Sequence, residues 1–86
     1  GVKLVFSERA WEDYLHWQAT DRARLQRVNR LIKDILRSPY EGLGHPEPLR
    51  HELEGLWSRR VDREHRMVYF VRDNAIQIVQ ARYHYE

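Results

Sequence analysis

The sequence contains no cysteine among its 86 residues, so the chain can form neither a disulfide nor a thiolate metal site. This composition fits a reducing compartment. No apolar run approaches the roughly 20 residues that a helix needs to cross a bilayer, and the first residues lack the apolar stretch of an export signal. These absences predict a cytoplasmic protein without membrane contact. A chain of this length has room for one domain, residues 1–86, with a small core.

Proline and glycine are scarce, and most of them are concentrated in one segment. The chain has three prolines and four glycines, and residues 38–48 contain all of the prolines and two of the glycines. Because proline fixes φ and lacks a backbone donor, this segment can be neither the interior of a helix nor a central strand. We predict a stiff loop here, with regular structure on both sides of it.

Two amphipathic segments precede this loop. Ser7 can cap a first helix that extends through Trp17. Thr20 or Asp21 can cap a second helix, whose apolar residues recur at three- and four-residue intervals until Ser38-Pro39. Since few residues separate the two helices, they should form an antiparallel hairpin whose apolar face covers a sheet. The apolar stripe of the first helix, expected in the core, consists of Trp11, Tyr14, Leu15 and Trp17.

The remaining segments are short and rich in aromatic or β-branched residues, which favours strands. They comprise residues 2–6, 49–53, 57–62, 66–72 and 75–83. Glu54-Gly55 and Asp73-Asn74 have the composition of hairpin turns. The sequence therefore predicts an α+β fold, in which an N-terminal strand and a two-helix hairpin precede an antiparallel meander. With the helices on one face of the sheet, the other face is open for a ligand.

Positive charge is unevenly distributed along the chain. The net charge is +2, and thirteen of the fifteen cations are arginines. Residues 21–37 alone carry six cations and two acids. The planar guanidinium suits bidentate recognition of phosphate, which favours a nucleic acid as partner. The alternative is that these cations only form the solvated face of the second helix.

The C-terminal sequence Ala81-Arg82-Tyr83-His84-Tyr85-Glu86 places a histidine between two tyrosines. Histidine titrates near neutral pH, so His84 is a candidate proton donor, although a terminal aromatic cluster can also complete a small core. Glu47, in the loop rich in proline and glycine, is a candidate base, although a loop carboxylate can simply be solvated. The candidate cations for binding phosphate are Arg50, Arg60 and Arg66.

No metal site or cofactor is predicted. The other histidines lack the spacing of metal ligands. They are His16, His45, His51 and His65. Arg59 and Arg60, adjacent in one strand, should point to different faces, and an ion pair with Asp62 or Glu64 would explain at least one of them.

Several segments of the chain together resemble the YoeB (Txe) toxins of bacterial toxin–antitoxin modules. These segments are Lys3-Leu4-Val5-Phe6-Ser7-Glu8, Trp11-Glu12-Asp13-Tyr14-Leu15, Gly44-His45-Pro46-Glu47-Pro48-Leu49, Trp57-Ser58-Arg59-Arg60, Glu64-His65-Arg66-Met67-Val68-Tyr69 and Arg82-Tyr83-His84-Tyr85. The resemblance implies a RelE-like microbial ribonuclease fold and an endoribonuclease that cuts messenger RNA in the A site of the 70S ribosome. It also implies a YefM-like antitoxin, contact with operator DNA only through the antitoxin complex, and a homodimer.

The resemblance also implies roles for particular residues. Glu47 corresponds to the general base of the family, His84 to its general acid and Arg66 to its principal phosphate-binding arginine. The residues that complete the site are Arg50, Arg60 and Tyr85. The best-known family member has lysine where this chain has Arg50, and a guanidinium retains the contact with phosphate.

These residue types suit a cleavage of RNA that needs no metal. A base removes the proton of the ribose 2′-hydroxyl, an acid protonates the leaving 5′-oxygen, and arginines stabilise the charge on phosphorus. We expect a 2′,3′-cyclic phosphate product. The alternative function is a non-catalytic domain that binds RNA or an antitoxin and acts as a co-repressor.

Strand alternation provides an internal test of a shared site. Arg60 and Arg66 face the same side only if the turn between their strands has an odd number of residues. A turn formed by Asp62-Arg63-Glu64 would meet this condition. A two-residue turn at Asp73-Asn74 would put His84 on the opposite face from Arg66. A shared site therefore requires a longer turn that includes Ala75, a β-bulge, or a terminal segment that has left the strand.

Overall fold

The computed structural model describes residues 1–84 as a five-stranded sheet with two helices packed on one face. Its elements are β1 (Lys3–Phe6), α1 (Glu8–Thr20), α2 (Arg22–Arg37), β2 (Glu47–Pro48), a short 3-10 helix (His51–Leu53), β3 (Trp57–Arg60), β4 (Arg66–Arg72) and β5 (Ala75–Gln80). The strand order is β1-β5-β4-β3-β2, with β1 parallel to β5 and the other described pairs antiparallel. The predicted α+β class, a helical hairpin on a mostly antiparallel sheet, is confirmed.

The helix boundaries follow from two capping side chains. The Ser7 hydroxyl accepts a 3.0 Å hydrogen bond from the Ala10 N–H, as predicted. Of the two candidate caps for α2, Asp21 has that role, because its Oδ1 accepts a 3.0 Å hydrogen bond from the Arg24 N–H. Thr20 is instead the last residue of α1, which therefore ends later than predicted. In residues 1–84, neither helix has the length and apolar character needed to span a bilayer.

One face of α2 and the inner face of the sheet form the core. Val28, Leu31 and Ile35 are fully buried on the helix. On the sheet, the buried partners in this core are Met67, Tyr69, Ile76 and Ile78. The sheet face turned away from the helices is called the open face.

The aromatic stripe of α1 lies only partly in the core, contrary to the prediction. Trp17 is buried and Tyr14 packs against the core, whereas Trp11 is 50% exposed and Leu15 is 38% exposed. Trp11 stacks on Tyr14, with 5.8 Å between ring centroids, beside Phe6 of the edge strand β1. No further strand of the described chain extends the sheet beyond β1, so this end of α1 stays exposed.

The predicted strand at residues 49–53 is wrong. His51 has a φ of 58°, in the left-handed region that a strand cannot use, and it begins the 3-10 helix. The Leu49 N–H donates a 2.9 Å hydrogen bond to the Leu56 carbonyl, which closes the segment into a loop. Gly55 turns within this loop at a φ of 97°, so the predicted turn exists, but as part of a longer connection between β2 and β3.

Arg59 organises the stiff loop between α2 and β2. Its guanidinium is fully buried on the helix side and pairs with Asp34. It also donates to the carbonyls of Ser38, Glu41 and Leu43, at 2.6, 3.1 and 3.1 Å. Asp62 and Glu64 are therefore not its partners, and the predicted surface ion pair is wrong for Arg59.

Candidate functional site

A row of four residues crosses the open face. The cross-strand pairs are Glu47 with Ser58, Ser58 with Val68, and Val68 with Gln80. Partners across a sheet share a face, and the neighbouring Met67 points into the core. Glu47 thus lies on the open face, at the edge formed by β2.

Arg60 and Arg66 form the next pair along the same face. They are direct cross-strand partners, and the loop between them, residues 61–65, has an odd number of residues, as strand alternation requires. The loop is longer than the predicted three-residue turn. Arg60 is exposed, whereas Arg66 is partly buried.

The Arg66 guanidinium is held by its own loop. Its Nη1 donates to the carbonyls of Asp62, Arg63 and His65, at 2.8, 3.3 and 3.2 Å. The Asp62 carboxylate braces this loop by accepting hydrogen bonds from the backbone N–H groups of Glu64 and His65. Although burial raises the pKa of Asp62, these hydrogen bonds and the one from Arg24 leave it below its usual value. The carboxylate therefore stays ionised, and the loop carbonyls stay oriented toward Arg66.

Two irregularities bring His84 to the open face. The Asp73-Asn74 turn has two residues, with φ of 53° and 57°, as predicted for a tight hairpin. The register then shifts: Val68 pairs with Gln80 while the next residue of β4 pairs with Ile78, so one residue of β5 bulges. The chain leaves the strand after Gln80, earlier than predicted. Two of the three conditions that permit a shared site are present, the bulge and the departing segment.

Glu47 and His84 line adjoining clefts. The larger, of about 430 Å³, lies between His84, Gln80, Val68 and Leu53. The smaller, of about 290 Å³, is lined by Glu47, Arg50 and again Leu53, which is common to both clefts. His84 is exposed and lies on the side of the sheet that carries Arg66.

The structure does not gather all of the predicted site residues in one cleft. Arg60 and Arg66 line neither of the two clefts, although they lie on the same face. Tyr85 lies outside the described residues. Within residues 1–84, no cluster of three or more histidine, aspartate or glutamate side chains could hold a metal ion.

Sequence reasoning missed the residues that fix the segment after β5, residues 81–84, called the tail. His65, which had no assigned chemistry, accepts a 2.8 Å hydrogen bond at Nδ1 from the Tyr83 N–H. The buried carboxylate of Asp13 accepts a 3.0 Å hydrogen bond from the Ala81 N–H. The buried Gln80 contacts the tail as well. No local pattern marks these side chains, because each depends on where the tail runs.

Comparisons with known proteins agree with this architecture. A sequence model of the family described as the YoeB-like toxin of bacterial type II toxin–antitoxin systems matches residues 6–85. Toxin YoeB of Escherichia coli K12 is 54% identical over 84 residues, which cover 98% of this chain and 100% of that protein.

Solved structures give the same result. A YoeB/ParE toxin from Agrobacterium tumefaciens superposes with a TM-score of 0.93 at 42% identity, covering 98% of this chain and 100% of the other. A YoeB dimer from Staphylococcus aureus gives 0.90 at 44% identity, with 98% of each chain covered. A YoeB–YefM complex from the same organism gives 0.89 at 42% identity, with 99% of each covered.

The fold extends to more distant toxins. The RelBE2 toxin–antitoxin complex of Mycobacterium tuberculosis matches with a TM-score of 0.70 at 24% identity, covering 96% of this chain and 98% of that one, and supports the RelE-like fold alone. The family match, by contrast, spans nearly the whole chain. The chain therefore belongs to the YoeB family of toxins of bacterial type II toxin–antitoxin systems.

Proposed function

We propose that this toxin is an endoribonuclease, an mRNA interferase that cleaves messenger RNA in the A site of the 70S ribosome and so inhibits translation in the cytoplasm. The observation that carries the proposal is the placement of Glu47 and His84 in adjoining clefts on the open face. Arg60 and Arg66 lie side by side on the same face. A base, an acid and cations for phosphate are the groups that cleavage of RNA without a metal requires.

In the proposed reaction, Glu47 removes the proton of a ribose 2′-hydroxyl, and the 2′-oxygen attacks the adjacent phosphorus. The bond between phosphorus and the 5′-oxygen breaks, and His84 donates a proton to that oxygen. The products are a 2′,3′-cyclic phosphate and a 5′-hydroxyl. Positioned acids and bases of this kind contribute about 10²–10⁴-fold to a rate.

The cations stabilise the charge that develops on phosphorus. Arg66 is held on its loop before the substrate arrives, and donors oriented in advance lose little free energy to reorganisation. Two further arginines contact substrate phosphates. Arg60 is the exposed cross-strand partner of Arg66, and Arg50 lies in the cleft of Glu47. We include Tyr85 among the catalytic residues on the resemblance to the family.

The basic face of α2 supplies contacts to ribosomal RNA. Arg22, Arg30 and Lys33 are exposed along this helix. Arg24 and Arg37 are instead engaged by aspartates, at 2.6 and 2.9 Å. The exposed cations suit phosphate contacts that are independent of sequence, so binding to the ribosome should weaken steeply with salt.

The proposed protein partners are a YefM-like antitoxin and a second copy of the toxin. The S. aureus relatives form a YoeB–YefM complex and a YoeB dimer, and these superpose closely on this chain. An acidic antitoxin segment that folds on binding would match the basic surface. Operator DNA is then contacted only through the antitoxin complex.

The alternative is a non-catalytic domain that binds RNA or antitoxin and acts as a co-repressor. One observation favours it: Nη1 of Arg66 already donates to three carbonyls of its own loop. If these bonds persist in the bound state, fewer donors of this guanidinium reach phosphate.

Mapping of cleavage sites by primer extension separates the two functions. Messenger RNA, free and bound to 70S ribosomes, is treated with wild type, Glu47→Gln or His84→Gln, with and without EDTA. We expect cuts in A-site codons that resist EDTA and are lost in both variants. Glu54→Gln, which removes a carboxylate from the neighbouring exposed turn, is the matched control and should cleave as wild type does.

Three other results would contradict part or all of the proposed function. If wild type cuts nothing while both variants still bind the antitoxin, the non-catalytic function is correct. Cuts by Glu47→Gln at the wild-type rate would exclude Glu47 as the base. A plain 3′-hydroxyl as the first product would exclude attack by the 2′-oxygen.

A further inference from the structure

The buried amide of Gln80 lies at the point where the chain leaves the sheet. Resting on the proposed function, we propose that Gln80 is a positioning residue, whose side chain holds the tail so that the His84 imidazole stays at the cleft. Gln80 is 4% exposed. Its Nε2 lies 3.0 Å from the Arg82 carbonyl and 3.3 Å from the carbonyls of Tyr83 and His84. One amide group thus contacts three consecutive residues of the tail.

The β-bulge gives Gln80 this role. Without the register shift, strict alternation would place residue 79 opposite Val68, and Gln80 would point toward the helices. The shift instead pairs Gln80 with Val68 on the open face. The amide therefore lies on the side of the sheet where the tail passes, and both residues line the cleft of His84.

Other contacts fix the beginning and the middle of the tail. Trp17 Nε1 donates a 2.8 Å hydrogen bond to the Ala81 carbonyl, and Asp13 accepts from the Ala81 N–H. The Tyr83 carbonyl accepts a 2.9 Å hydrogen bond from the Arg66 N–H. Gln80 continues this support to the backbone of the proposed acid, because its third bond goes to the His84 carbonyl.

The chemistry of the amide explains why glutamine suits this position. Three carbonyl oxygens converge on one NH₂ group, which has two hydrogens to donate and belongs to a buried side chain. Its removal takes one donor away from three consecutive residues of the tail at once. Methionine has similar length but no N–H. The tail would then shift, and a misplacement of about 1 Å at a catalytic group can cost on the order of 10²-fold in rate.

The test compares Gln80→Met with Gln77→Met, which makes the same chemical change on the same strand. Single-turnover cleavage of ribosome-bound messenger RNA is measured together with the affinity for the ribosome. We expect Gln80→Met to lower the cleavage rate constant by roughly 10–100-fold with unchanged affinity, and Gln77→Met to change it less than about 2-fold.

His84→Gln should retain slow residual cleavage, about 10²–10⁴-fold below wild type, which long single-turnover incubations can follow. Gln80→Met in this background separates positioning from a general structural effect. If Gln80 acts through His84, Gln80→Met causes no further loss once the imidazole is absent. An equal loss in both backgrounds, or no loss in either, would overturn the proposal.

A second readout does not depend on cleavage. The heteronuclear ¹⁵N NOE of the His84 amide, measured on the intact toxin, should fall in Gln80→Met and stay unchanged in Gln77→Met. If wild type cleaves nothing but this NOE falls, the proposed ribonuclease function fails while the support of the tail by Gln80 stands. An unchanged NOE in Gln80→Met would overturn the inference, whatever the activity.

Discussion

Asp34 and Arg59 form an ion pair, 2.5 Å from Oδ2 to Nη1, in which the guanidinium side chain is fully buried and the carboxylate side chain is 12% exposed. The same guanidinium donates to three loop carbonyls. The pair thereby connects the end of α2 to β3 and fixes the loop that leads to Glu47.

Removal of Arg59 should therefore destabilise the whole domain. Arg59→Met removes the buried cation that pairs with Asp34, and the loop carbonyls lose the guanidinium donors. Breaking a buried pair costs about 3–5 kcal/mol. Arg37 contacts the same carboxylate, but its side chain is 66% exposed, so Arg37→Met should cost less than about 1 kcal/mol. Urea unfolding followed by tryptophan fluorescence gives both values. Equal losses in the two variants would mean that burial of Arg59 adds nothing.

The pKa of Asp34 predicts that the free energy of unfolding falls in acid. Hydrogen bonds from the Leu43 N–H and from Arg37 and Arg59 lower this pKa from 3.8 to about 2. Because the pKa is lower in the folded state, the unfolded chain takes up the proton first, and the contribution to stability, present above pH 3.8, is lost as pH falls toward 2. Asp34→Asn should be less stable than wild type near neutrality but lose less on acidification.

Unfolding free energies measured from about pH 6 down to about pH 2 test this expectation. Asp73→Asn is the matched control, since the Asp73 side chain is 93% exposed, and its curve should parallel that of wild type. The prediction is contradicted if Asp34→Asn retains the full acid dependence.

Gly44 should tolerate no side chain. It has a φ of 79°, and a Cβ there would lie 2.8 Å from the Leu31 side chain and 3.1 Å from the Arg60 carbonyl. Gly44→Ala therefore combines the strain of positive φ, about 1–2 kcal/mol, with overpacking of about 1–3 kcal/mol. Gly55 has a φ of 97° but nothing within 4 Å, so Gly55→Ala should cost only the strain. Thermal unfolding of both variants measures the difference, and equal costs would show that the close approach relaxes freely.

Salt dependence should identify which cations of α2 contact ribosomal RNA. Lys33 is exposed, whereas Arg37 pairs with Asp34 at 2.9 Å. In a Glu47→Gln background, Lys33→Gln should reduce the slope of log affinity against log salt by about 0.7–0.9, the value for one lost phosphate contact. Arg37→Gln, the same loss of charge one turn away, should change the slope less. Filter binding to 70S ribosomes provides the measurement, and identical slopes for wild type and Lys33→Gln would remove this residue from the interface.

Much of the fold could be predicted because its signals are local. Ser7 and Asp21 accept hydrogen bonds within the next few residues, and the Asp73-Asn74 turn needs only two residues that tolerate positive φ. The shared face of Arg60 and Arg66 followed from counting residues between paired strands. Such features depend on neighbours along the chain, which the sequence displays directly.

The features that escaped prediction depend on distant contacts. Arg59 pairs with Asp34, 25 positions away, rather than with the carboxylates beside it. A bulge against β4 determines which face of the sheet Gln80 occupies. Residues 49–53, predicted as a strand, form a loop in which His51 has positive φ. The relative positions of Glu47 and His84 could likewise not be predicted, because a bulge and a departing tail decide them.

The pairing of β1 with β5 should be a late event in the folding of this domain. β5 lies between β1 and β4 in the sheet, although nearly seventy residues separate β1 from β5 along the chain. The hydrogen bond from the Ser7 hydroxyl to the Val79 carbonyl, at the end of this pairing, spans 72 positions. Closing so long a loop is slow compared with forming the helical hairpin or the β4–β5 hairpin. Until β5 docks, Asp13 and Trp17 have no tail to hold. In a partly folded chain the tail therefore lacks two of its anchors, and the segment that ends in His84 is fully held only once α1 has docked.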